Sequence, residues 1–226
     1  MSPRGALITF EGGEGSGKST QLSLLAERLR AAGVAVRALR EPGGTAVGEA
    51  VRAILLDPEH ESLHRSTELL LYEAARAQLV ADIVRPALAA GEVVLCDRFY
   101  DSTTAYQGYG RELALETVQV LNHLATDGLR PDRTLLLDVP PLVGLNRYEG
   151  EKKGMPERQM SFFSDRMERQ DIAFHERVRT GFLAIAAAEP DRIRVVDASG
   201  TPEQVAAKVA DALSDLPALV SALGRP

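Results

Sequence analysis

The chain has 226 residues and a mass of 24.4 kDa, with 45% hydrophobic and 26% charged residues, which is enough for one compact α/β domain with a substantial core. Its net charge of −6 and its pI of about 5.3 argue against a broad basic surface for nucleic acid or anionic lipid. A single cysteine, Cys96, excludes an intrachain disulfide framework, and the lack of a signal-peptide block or of a run of about 18 apolar residues predicts a cytoplasmic protein without a membrane partner.

A phosphate-binding loop is the first feature along the chain. The pattern G-x-x-x-x-G-K-S occupies residues 12–19, between a strand-like run over residues 6–10 and a helix-like run that begins at Gln21. Backbone N–H groups of such a loop surround a polyphosphate at the positive end of a helix, the lysine neutralises the outer phosphates, and the serine hydroxyl reaches a metal ion. A plain glycine-rich turn is the alternative, but the flanking strand and helix favour a site for a nucleoside triphosphate with Mg²⁺.

Short apolar runs alternate with longer amphipathic runs along the whole chain. The short runs typical of buried strands cover residues 6–10, 34–39, 93–96, 134–137 and 193–196. This order predicts an α/β fold with a five-stranded parallel sheet and helices on both faces. Three strands end in Asp97, Asp138 and Asp197, at the sheet edge where ligands bind in such folds. Residues 202–223 are interpreted as a closing helix, and the chain as a single domain over residues 1–226.

Two segments after the second strand contain candidate binding residues. Residues 40–45 include Glu41, Pro42 and two glycines, which predict a tight turn that leads into a helix capped by Thr45; taken alone, this segment is most simply a bare turn. In the next helical stretch, Tyr72 and Arg76 lie four residues apart and share one helix face. An aromatic ring beside a guanidinium can stack on and hydrogen-bond a nucleobase, although core packing with a salt bridge is the commoner outcome of this spacing.

The third predicted strand leads into a polar block over residues 97–111. A carboxylate at a strand tip, here Asp97, holds hydrated magnesium in phosphate-loop enzymes. Arg98 is suited to bidentate binding of a second phosphate group. The hydroxyls, aromatic rings and amide that follow suit a sugar and a flat base. A solvated loop with an ordinary ion pair is the alternative.

The most irregular stretch is a polar loop over residues 148–159. A long polar loop in a compact domain is either a functional lid or a surface excursion. The loop and its flanks contain several cations, namely Arg147, Lys152, Lys153, Arg158, Arg166 and Arg169. Enzymes that transfer phosphoryl groups often deliver a stabilising cation on a closing loop. We therefore predict a lid at about residues 147–164, although a plain charge run is the default for any one of these residues.

These motifs, in this order and spacing, resemble those of the bacterial thymidylate kinase family. The resemblance covers residues 6 to about 200 and rests on the glutamate-containing phosphate loop, the Arg40-Glu41-Pro42-Gly43-Gly44 segment, Ala74-Ala75-Arg76 and the block over residues 97–111. It implies a P-loop NTPase fold and transfer of the γ-phosphoryl group of ATP to thymidine monophosphate, with Mg²⁺. It also implies a homodimer.

The resemblance implies residue roles around both nucleotides. Lys18 and the loop backbone would hold the ATP phosphates, and Ser19 and Asp97 the metal. Arg98 would clamp the acceptor phosphate, Glu14 would accept a hydrogen bond from the sugar 3′-hydroxyl, and Tyr106 would exclude a 2′-hydroxyl by its volume. The implied ATP-binding residues are Gly12, Gly13, Glu14, Gly15, Ser16, Gly17, Lys18, Ser19 and Thr20.

The resemblance also implies how the base is read. Tyr72 would stack on thymine, Arg76 would bind a base carbonyl, and Thr103 and Gln107 would complete recognition. The implied acceptor-binding residues are Glu14, Glu41, Pro42, Arg52, Tyr72, Arg76, Arg98, Ser102, Thr103, Tyr106 and Gln107. The implied catalytic residues are Lys18, Asp97, Arg98, Arg158 and Arg166. The last two are implied because the phosphate loop lacks an arginine, so that the catalytic cation should come from residues 147–166. Residues 156–164 look like an insertion relative to the family pattern, which leaves Arg147, Lys152 and Lys153 as alternatives.

Two other functions are compatible with a phosphate loop. A different nucleoside or nucleotide kinase on the same scaffold is the nearest alternative, which Tyr72, Arg76 and the 106–108 segment disfavour. A nucleotide-dependent switch is the second. The sequence contains no Asn-Lys-x-Asp guanine-reading motif, and its notable Asp-x-x-Gly lies at residues 197–200, near the C-terminus.

Overall fold

The computed structural model describes residues 5–153 and 170–223. A parallel sheet of five strands lies at its centre, which confirms the predicted strand number and direction. The strands are β1 (Leu7–Glu11), β2 (Val36–Arg40), β3 (Val93–Asp97), β4 (Arg133–Asp138) and β5 (Ile193–Asp197), in the order β2-β3-β1-β4-β5. β1 is the middle strand and pairs with β3 on one side and β4 on the other. The phosphate loop therefore leaves the sheet at its centre.

Helices connect the strands and cover both faces of the sheet. They are α1 (Lys18–Ala31), α2 (Ala46–Leu56), α3 (Arg65–Leu79), α4 (Arg85–Ala89), α5 (Tyr100–Thr103), α6 (Leu115–Thr126), α7 (Pro141–Lys153), α8 (Ile172–Ala188), α9 (Pro202–Ala212) and α10 (Val220–Leu223). A 3₁₀ turn spans Pro58–His60, a π-helical turn (Val80–Val84) joins α3 to α4, and a second one (Thr104–Gly110) follows α5. Among the helices of the described ranges, none is long and apolar enough to cross a membrane.

The core has two layers because alternate side chains of each strand point to opposite faces. On one face, strand residues pack against α1, α9 and α10; the cluster includes Ile8, Phe10, Leu95, Leu135, Leu22, Leu29, Val205 and Leu223. On the other face, one cluster includes Leu7, Val94, Cys96, Leu79 and Val84, and another includes Leu136, Phe174, Val178 and Phe182. β1, β3 and β4 are buried on both sides, which explains their continuous apolar runs. The prediction of buried strands is wrong for β2 and β5, which are partly exposed because they lie at the two edges of the sheet.

Two local predictions are confirmed. Thr45 caps α2, and its side chain accepts a hydrogen bond from the backbone N–H of Gly48 at 2.9 Å. Cys96 is a fully buried free thiol, as core filling requires. Burial raises the pKa of this thiol, so the residue packs as a small apolar group.

Two boundary predictions are wrong. The closing helix predicted over residues 202–223 is two helices, because Pro217 lies between α9 and α10 and has no N–H for a helical hydrogen bond. The loop predicted to begin at Tyr148 begins later, since α7 continues to Lys153. Glutamate and lysine are good helix formers, and they outweigh the single Gly150. The remainder of that loop and the helix predicted from about residue 161 fall in residues 154–169, outside the described residues.

Candidate active site

The phosphate loop lies where β1 ends and α1 begins. Three of its glycines, at positions 12, 15 and 17, have φ values of 138°, 62° and 88°, which L side chains rarely adopt. A Cβ at Gly12 would lie 2.4 Å from the Leu137 carbonyl oxygen, and one at Gly15 would lie 1.9 Å from the Gly144 carbonyl oxygen. The loop therefore needs glycine for both its backbone conformation and its close packing.

Lys18 reaches back over the loop from the first turn of α1. Its Nζ donates to the carbonyl oxygens of Gly12 at 3.1 Å and Gly13 at 2.8 Å. Burial and the neighbouring charge of Arg98 lower the pKa of Lys18 to about 8, against the opposing effect of Glu14. An anionic phosphate beside this ammonium would favour its charged form.

Ser19 and Asp97 meet at the carboxyl edge of the sheet. Ser19 Oγ donates to Asp97 Oδ2 at 2.5 Å, which brings a hydroxyl and a carboxylate together beside the phosphate loop. Mg²⁺ prefers such hard oxygen ligands and usually takes only one or two from the protein, with waters and substrate phosphates completing its shell. These two residues therefore fit a magnesium ion bound together with a nucleotide.

Arg98 follows Asp97 in a left-handed backbone conformation, with φ 70°. This conformation costs a non-glycine residue roughly 1 to 2 kcal/mol, so the surrounding contacts must hold it. Nη1 donates to Gly12 O and to Ser102 Oγ, both at 3.1 Å, and Nη2 donates to Glu14 Oε1 at 2.7 Å. The guanidinium thus lies against the phosphate loop.

Glu14 and Tyr106 complete this cluster. The Tyr106 hydroxyl donates to Glu14 Oε1 at 2.7 Å, and the Arg98 guanidinium carbon lies 4.9 Å from the centre of the Tyr106 ring. Burial raises the pKa of Glu14, but the positive charges of Arg98 and Lys18 outweigh it and hold this pKa at about 2. Glu14 is therefore an ionised acceptor at neutral pH, and Tyr106, whose pKa is raised by burial, stays a neutral donor.

Arg76 is more deeply buried than its four-residue spacing from Tyr72 suggested. Its Nε donates to Glu41 Oε2 at 2.8 Å, and its Nη1 donates to Glu73 Oε1 at 2.9 Å and to Asn122 Oδ1 at 3.4 Å. Arg76 is 2% exposed, and burial raises the pKa of Glu41 to about 7 in spite of the Arg76 charge. Two buried carboxyl groups thus share one guanidinium. A base contact by Arg76 stays a prediction, and Tyr72, one turn earlier, is half-buried.

The two polar residues expected to complete base recognition lie on the segment after β3. Thr103 Oγ1 is buried and has no hydrogen-bond partner among the described residues. Gln107 Nε2 donates to Glu68 Oε1 at 2.8 Å, and Glu68, fully buried, also pairs with Arg111. Because a carboxylate only accepts, Glu68 fixes which end of the Gln107 amide faces it.

Other predicted residues surround this cluster. Arg52 Nη1 donates to Pro42 O at 2.9 Å, which ties α2 to the turn after β2. Arg147 on α7 donates to the carbonyl oxygens of Ala198 at 2.9 Å and Ser199 at 3.0 Å, so it holds the loop after β5. The lid cations Arg158, Arg166 and Arg169 lie outside the described residues.

The other two strand-tip acids take part in ion pairs. Asp138 binds Arg179 through two hydrogen bonds of 2.8 Å, and Asp197 pairs with Lys208 at 2.8 Å. Both residues lie at the carboxyl edge of the sheet, as predicted, but neither belongs to the Arg98 cluster.

Sequence reasoning missed two buried acids, Glu11 and Glu68. Glu11 ends β1 directly before the phosphate loop, and its carboxyl group accepts hydrogen bonds from Phe99 N at 2.7 Å and Ser102 Oγ at 2.5 Å. The sequence could have indicated Glu68, because it lies four residues before Tyr72 on the helix face that also includes Arg76. No local pattern marked Glu11.

Comparison with known proteins identifies relatives over almost the whole chain. A sequence model of the thymidylate kinase family matches residues 10–209. A thymidylate kinase of Synechococcus sp. (strain JA-3-3Ab) is 52% identical over 219 residues, which are 97% of this chain and 99% of the relative. A thymidylate kinase of Geobacter sulfurreducens is 50% identical over 209 residues, covering 92% and 96% of the two chains. The solved structure of a thymidylate kinase from Ehrlichia chaffeensis has a TM-score of 0.72 and 36% identity, over 93% of this chain and 99% of that one.

The contact between α7 and the phosphate loop can be tested at Gly144. A Cβ there would lie 2.1 Å from the Glu14 carbonyl oxygen, so we expect Gly144→Ala to displace the loop and to weaken ATP binding at least about tenfold, or ~1.4 kcal/mol. The control is Gly150→Ala in the same helix, where a Cβ would meet nothing within 4 Å. The control should bind ATP normally and gain up to about 1 kcal/mol of stability. Equal ATP affinities by calorimetry would show that the contact is not needed.

The shared guanidinium predicts a pH-dependent stability. The pKa of Glu41 is about 7 in the folded protein against a usual value of 4.5, so its contribution to stability is complete below about pH 4.5 and is lost as the pH rises through 7. Between pH 5 and 8 the free energy of unfolding of the wild type should fall by roughly 2 to 3 kcal/mol because of this residue. Glu41→Gln is neutral at every pH, so its free energy of unfolding in urea should fall by that much less. Glu49→Gln, at an exposed acid, is the control, and parallel pH profiles for Glu41→Gln and wild type would contradict the prediction.

Proposed function

The chain belongs to the thymidylate kinase family and transfers the γ-phosphoryl group of ATP to thymidine monophosphate, and we propose that the cluster of Lys18, Glu14 and Arg98 is the site of this transfer. The observation that carries the proposal is the position of the Arg98 guanidinium, which is hydrogen-bonded to the phosphate loop itself. A clamp for one phosphate thus lies directly beside a cradle for another. Two nucleotides that meet end to end need this arrangement.

On the donor side, the loop backbone from Gly12 to Thr20 surrounds the ATP phosphates and Lys18 neutralises them. Lys18 now binds two loop carbonyl oxygens, so its ammonium is held over the cradle before any phosphate arrives. Ser19 and Asp97 would hold Mg²⁺ together with the nucleotide, and the ion would supply positive charge to the phosphate oxygens.

On the acceptor side, Arg98 grips the phosphate of thymidine monophosphate. Glu14, ionised and held by Arg98, accepts a hydrogen bond from the sugar 3′-hydroxyl. Tyr106 is fixed between Glu14 and the edges of the Phe174 and Phe182 rings, so its ring is a rigid wall against the sugar 2′ position. A ribose hydroxyl would collide with that wall.

The base lies between α3 and the segment that follows β3. Tyr72 stacks on thymine, and the unpartnered hydroxyl of Thr103 gains a partner when the base binds. Gln107, with its amide oriented by Glu68, reads the base edge, and Arg76 supplies the remaining donor. The pocket is framed by Glu41, Pro42, Arg52 and Ser102.

The enzyme itself does little covalent chemistry. It aligns the two phosphates, excludes water and screens their mutual repulsion, which are the main contributions to phosphoryl transfer. A further cation for the transferred phosphoryl group would come from the lid predicted at about residues 147–164, with Arg158 and Arg166, both outside the described residues, as the first candidates and Lys152 and Lys153 as alternatives. The chain would be a single kinase domain that works in the cytoplasm.

The acceptor assignment is tested by ADP release in a coupled assay with a panel of nucleoside monophosphates. Thymidine monophosphate should exceed the ribonucleotides in kcat/KM by at least about 100-fold, because Tyr106 rejects the 2′-hydroxyl and the base contacts reject purines. A guanine or adenine nucleotide as the best acceptor would exclude the proposed base pocket.

Variants at Lys18 and Arg98 separate the two halves of the site. Lys18→Ala should lower kcat at least about 100-fold, because a preorganised charge on the transferred phosphoryl group is lost. Arg98→Ala should raise KM for thymidine monophosphate at least about tenfold, which is ~1.4 kcal/mol of lost phosphate binding. Lys208→Ala, at an exposed lysine that pairs with Asp197, should change neither value. Full activity of Lys18→Ala would refute the role of the loop.

We also propose that the enzyme is a homodimer, with the dimer face on α2, α3 and α6. α3 packs against both of the other helices. Large apolar side chains remain exposed on all three, namely Val47 and Ile54 on α2, Leu70 on α3, and Val120 and Leu124 on α6. Val120 and Leu124 lie one turn apart on α6 and are 67% and 72% exposed. Exposed apolar patches of this kind mark interaction sites.

Light scattering tests the dimer. The wild type should have about twice the mass of one chain, and Leu124→Arg should shift it to the monomer mass, because a charge in an apolar interface is left unpaired. Val195→Arg, at an exposed apolar residue of β5, is the matched control and should remain dimeric. A dimeric Leu124→Arg variant would place the interface elsewhere.

A further inference from the structure

Three consecutive residues, two at the end of β1 and one at the start of the phosphate loop, hold Arg98 and its neighbour Phe99. Its own N–H donates to Phe10 O at 2.9 Å, and its Nη1 donates to Gly12 O at 3.1 Å. Between these two lies Glu11, whose Oε1 accepts the N–H of Phe99, the residue after Arg98, at 2.7 Å. The left-handed turn at Arg98 is therefore fixed on both sides by neighbouring residues of another strand.

Glu11 also reaches the Arg98 side chain through one intermediate. Ser102 Oγ donates to Glu11 Oε2 at 2.5 Å and accepts from Arg98 Nη1 at 3.1 Å. Ser102 thus donates its one proton to Glu11 and accepts from the guanidinium with one of its two lone pairs. One carboxyl group thus holds both the backbone and the side chain of Arg98.

The partners of Arg98 differ in whether they also contact the substrate. In the proposed function, Glu14 and Tyr106 face the nucleotide, so they interact with both Arg98 and the substrate. Glu11 is fully buried and its two hydrogen-bond partners are both protein groups. Its hold on Arg98 is therefore unaffected by whether the acceptor is bound.

We propose that Glu11 is a positioning residue that holds Arg98 in register with the phosphate loop. It does not touch substrate and acts only through Phe99, Ser102 and Arg98. Glu11 precedes Gly12 directly, so the residue that fixes the acceptor clamp is covalently joined to the donor cradle. The spacing between the two phosphates is then set by the end of one strand. This inference rests on the proposed role of Arg98.

The test is the kinetic profile of Glu11→Ala. We expect KM for thymidine monophosphate to rise at least tenfold and kcat to fall, while KM for ATP changes less than twofold. Glu11→Gln keeps an oxygen for Phe99 N and reverses the contact with Ser102, since its amide N–H now donates to Ser102 Oγ. The two lone pairs of Ser102 Oγ can accept from this amide and from Arg98 together, so the variant should return within about threefold of the wild type. Glu92→Ala removes a half-buried carboxylate, paired with Arg37, at the opposite edge of the sheet, and should alter neither KM.

A double-mutant cycle with Arg98→Ala decides the mechanism. If Glu11 acts through Arg98, then Glu11→Ala should add less than twofold to KM for thymidine monophosphate in the Arg98→Ala background. Additive effects, or equal rises in both KM values, would overturn the proposal and leave Glu11 with a purely structural role. Should Glu11→Ala not fold, Glu11→Asp shortens the same side chain by one methylene and goes through the same cycle with the same criteria.

The cycle also separates this inference from the proposed function. An Arg98→Ala variant with unchanged KM for thymidine monophosphate would refute the clamp itself, whatever Glu11 does. A large effect of Arg98→Ala together with no effect of Glu11→Ala would refute the positioning role alone. Calorimetric titration of the variants with thymidine monophosphate in the absence of ATP gives the same comparison without turnover.

Discussion

The ion pair between Arg98 and Glu14 is the contact on which the arrangement of the site depends. It joins the tip of β3 to the phosphate loop, with Nη2 and Oε1 2.7 Å apart, and β3 and β1 are hydrogen-bonded neighbours in the sheet. The distance between the two proposed phosphate positions therefore follows from strand register, which is rigid. Removal of either partner would take from a mostly buried charge its nearest opposite charge, which is costly in a protein interior. Orientation of the reactants is thus present before they bind.

The sheet and the phosphate loop could be predicted because their signals are local. The glycine spacing at residues 12–17 and the apolar runs placed every strand within one or two residues of its observed position. The site was predictable only in part. Glu11 binds partners 88 and 91 positions away, and no short pattern in the sequence reports such a contact. The burial of Arg76 depends in the same way on Glu41 and Asn122, which lie on other elements.

Two errors had signals that were available in the sequence. The segment after Tyr148 is polar and was interpreted as a loop, yet its glutamates and lysines favour a helix, and α7 continues to Lys153. Pro217 lies inside the span interpreted as one closing helix, although proline interrupts a helix interior. Helix propensity would therefore have predicted both boundaries better than residue polarity did. Gly144, by contrast, had no sequence signal, since its closeness to the Glu14 carbonyl oxygen arises from packing between distant elements.

The burial of Cys96 gives the molecule an internal chemical reporter. This residue is the only thiol in the chain, directly precedes Asp97 in β3, and is inaccessible to solvent. A thiolate-directed reagent can reach it only when the sheet opens, since the folded environment both shields the sulfur and disfavours its ionised form. The labelling rate therefore measures how often the centre of the protein opens, and nucleotides that bind the closed form must slow that reaction.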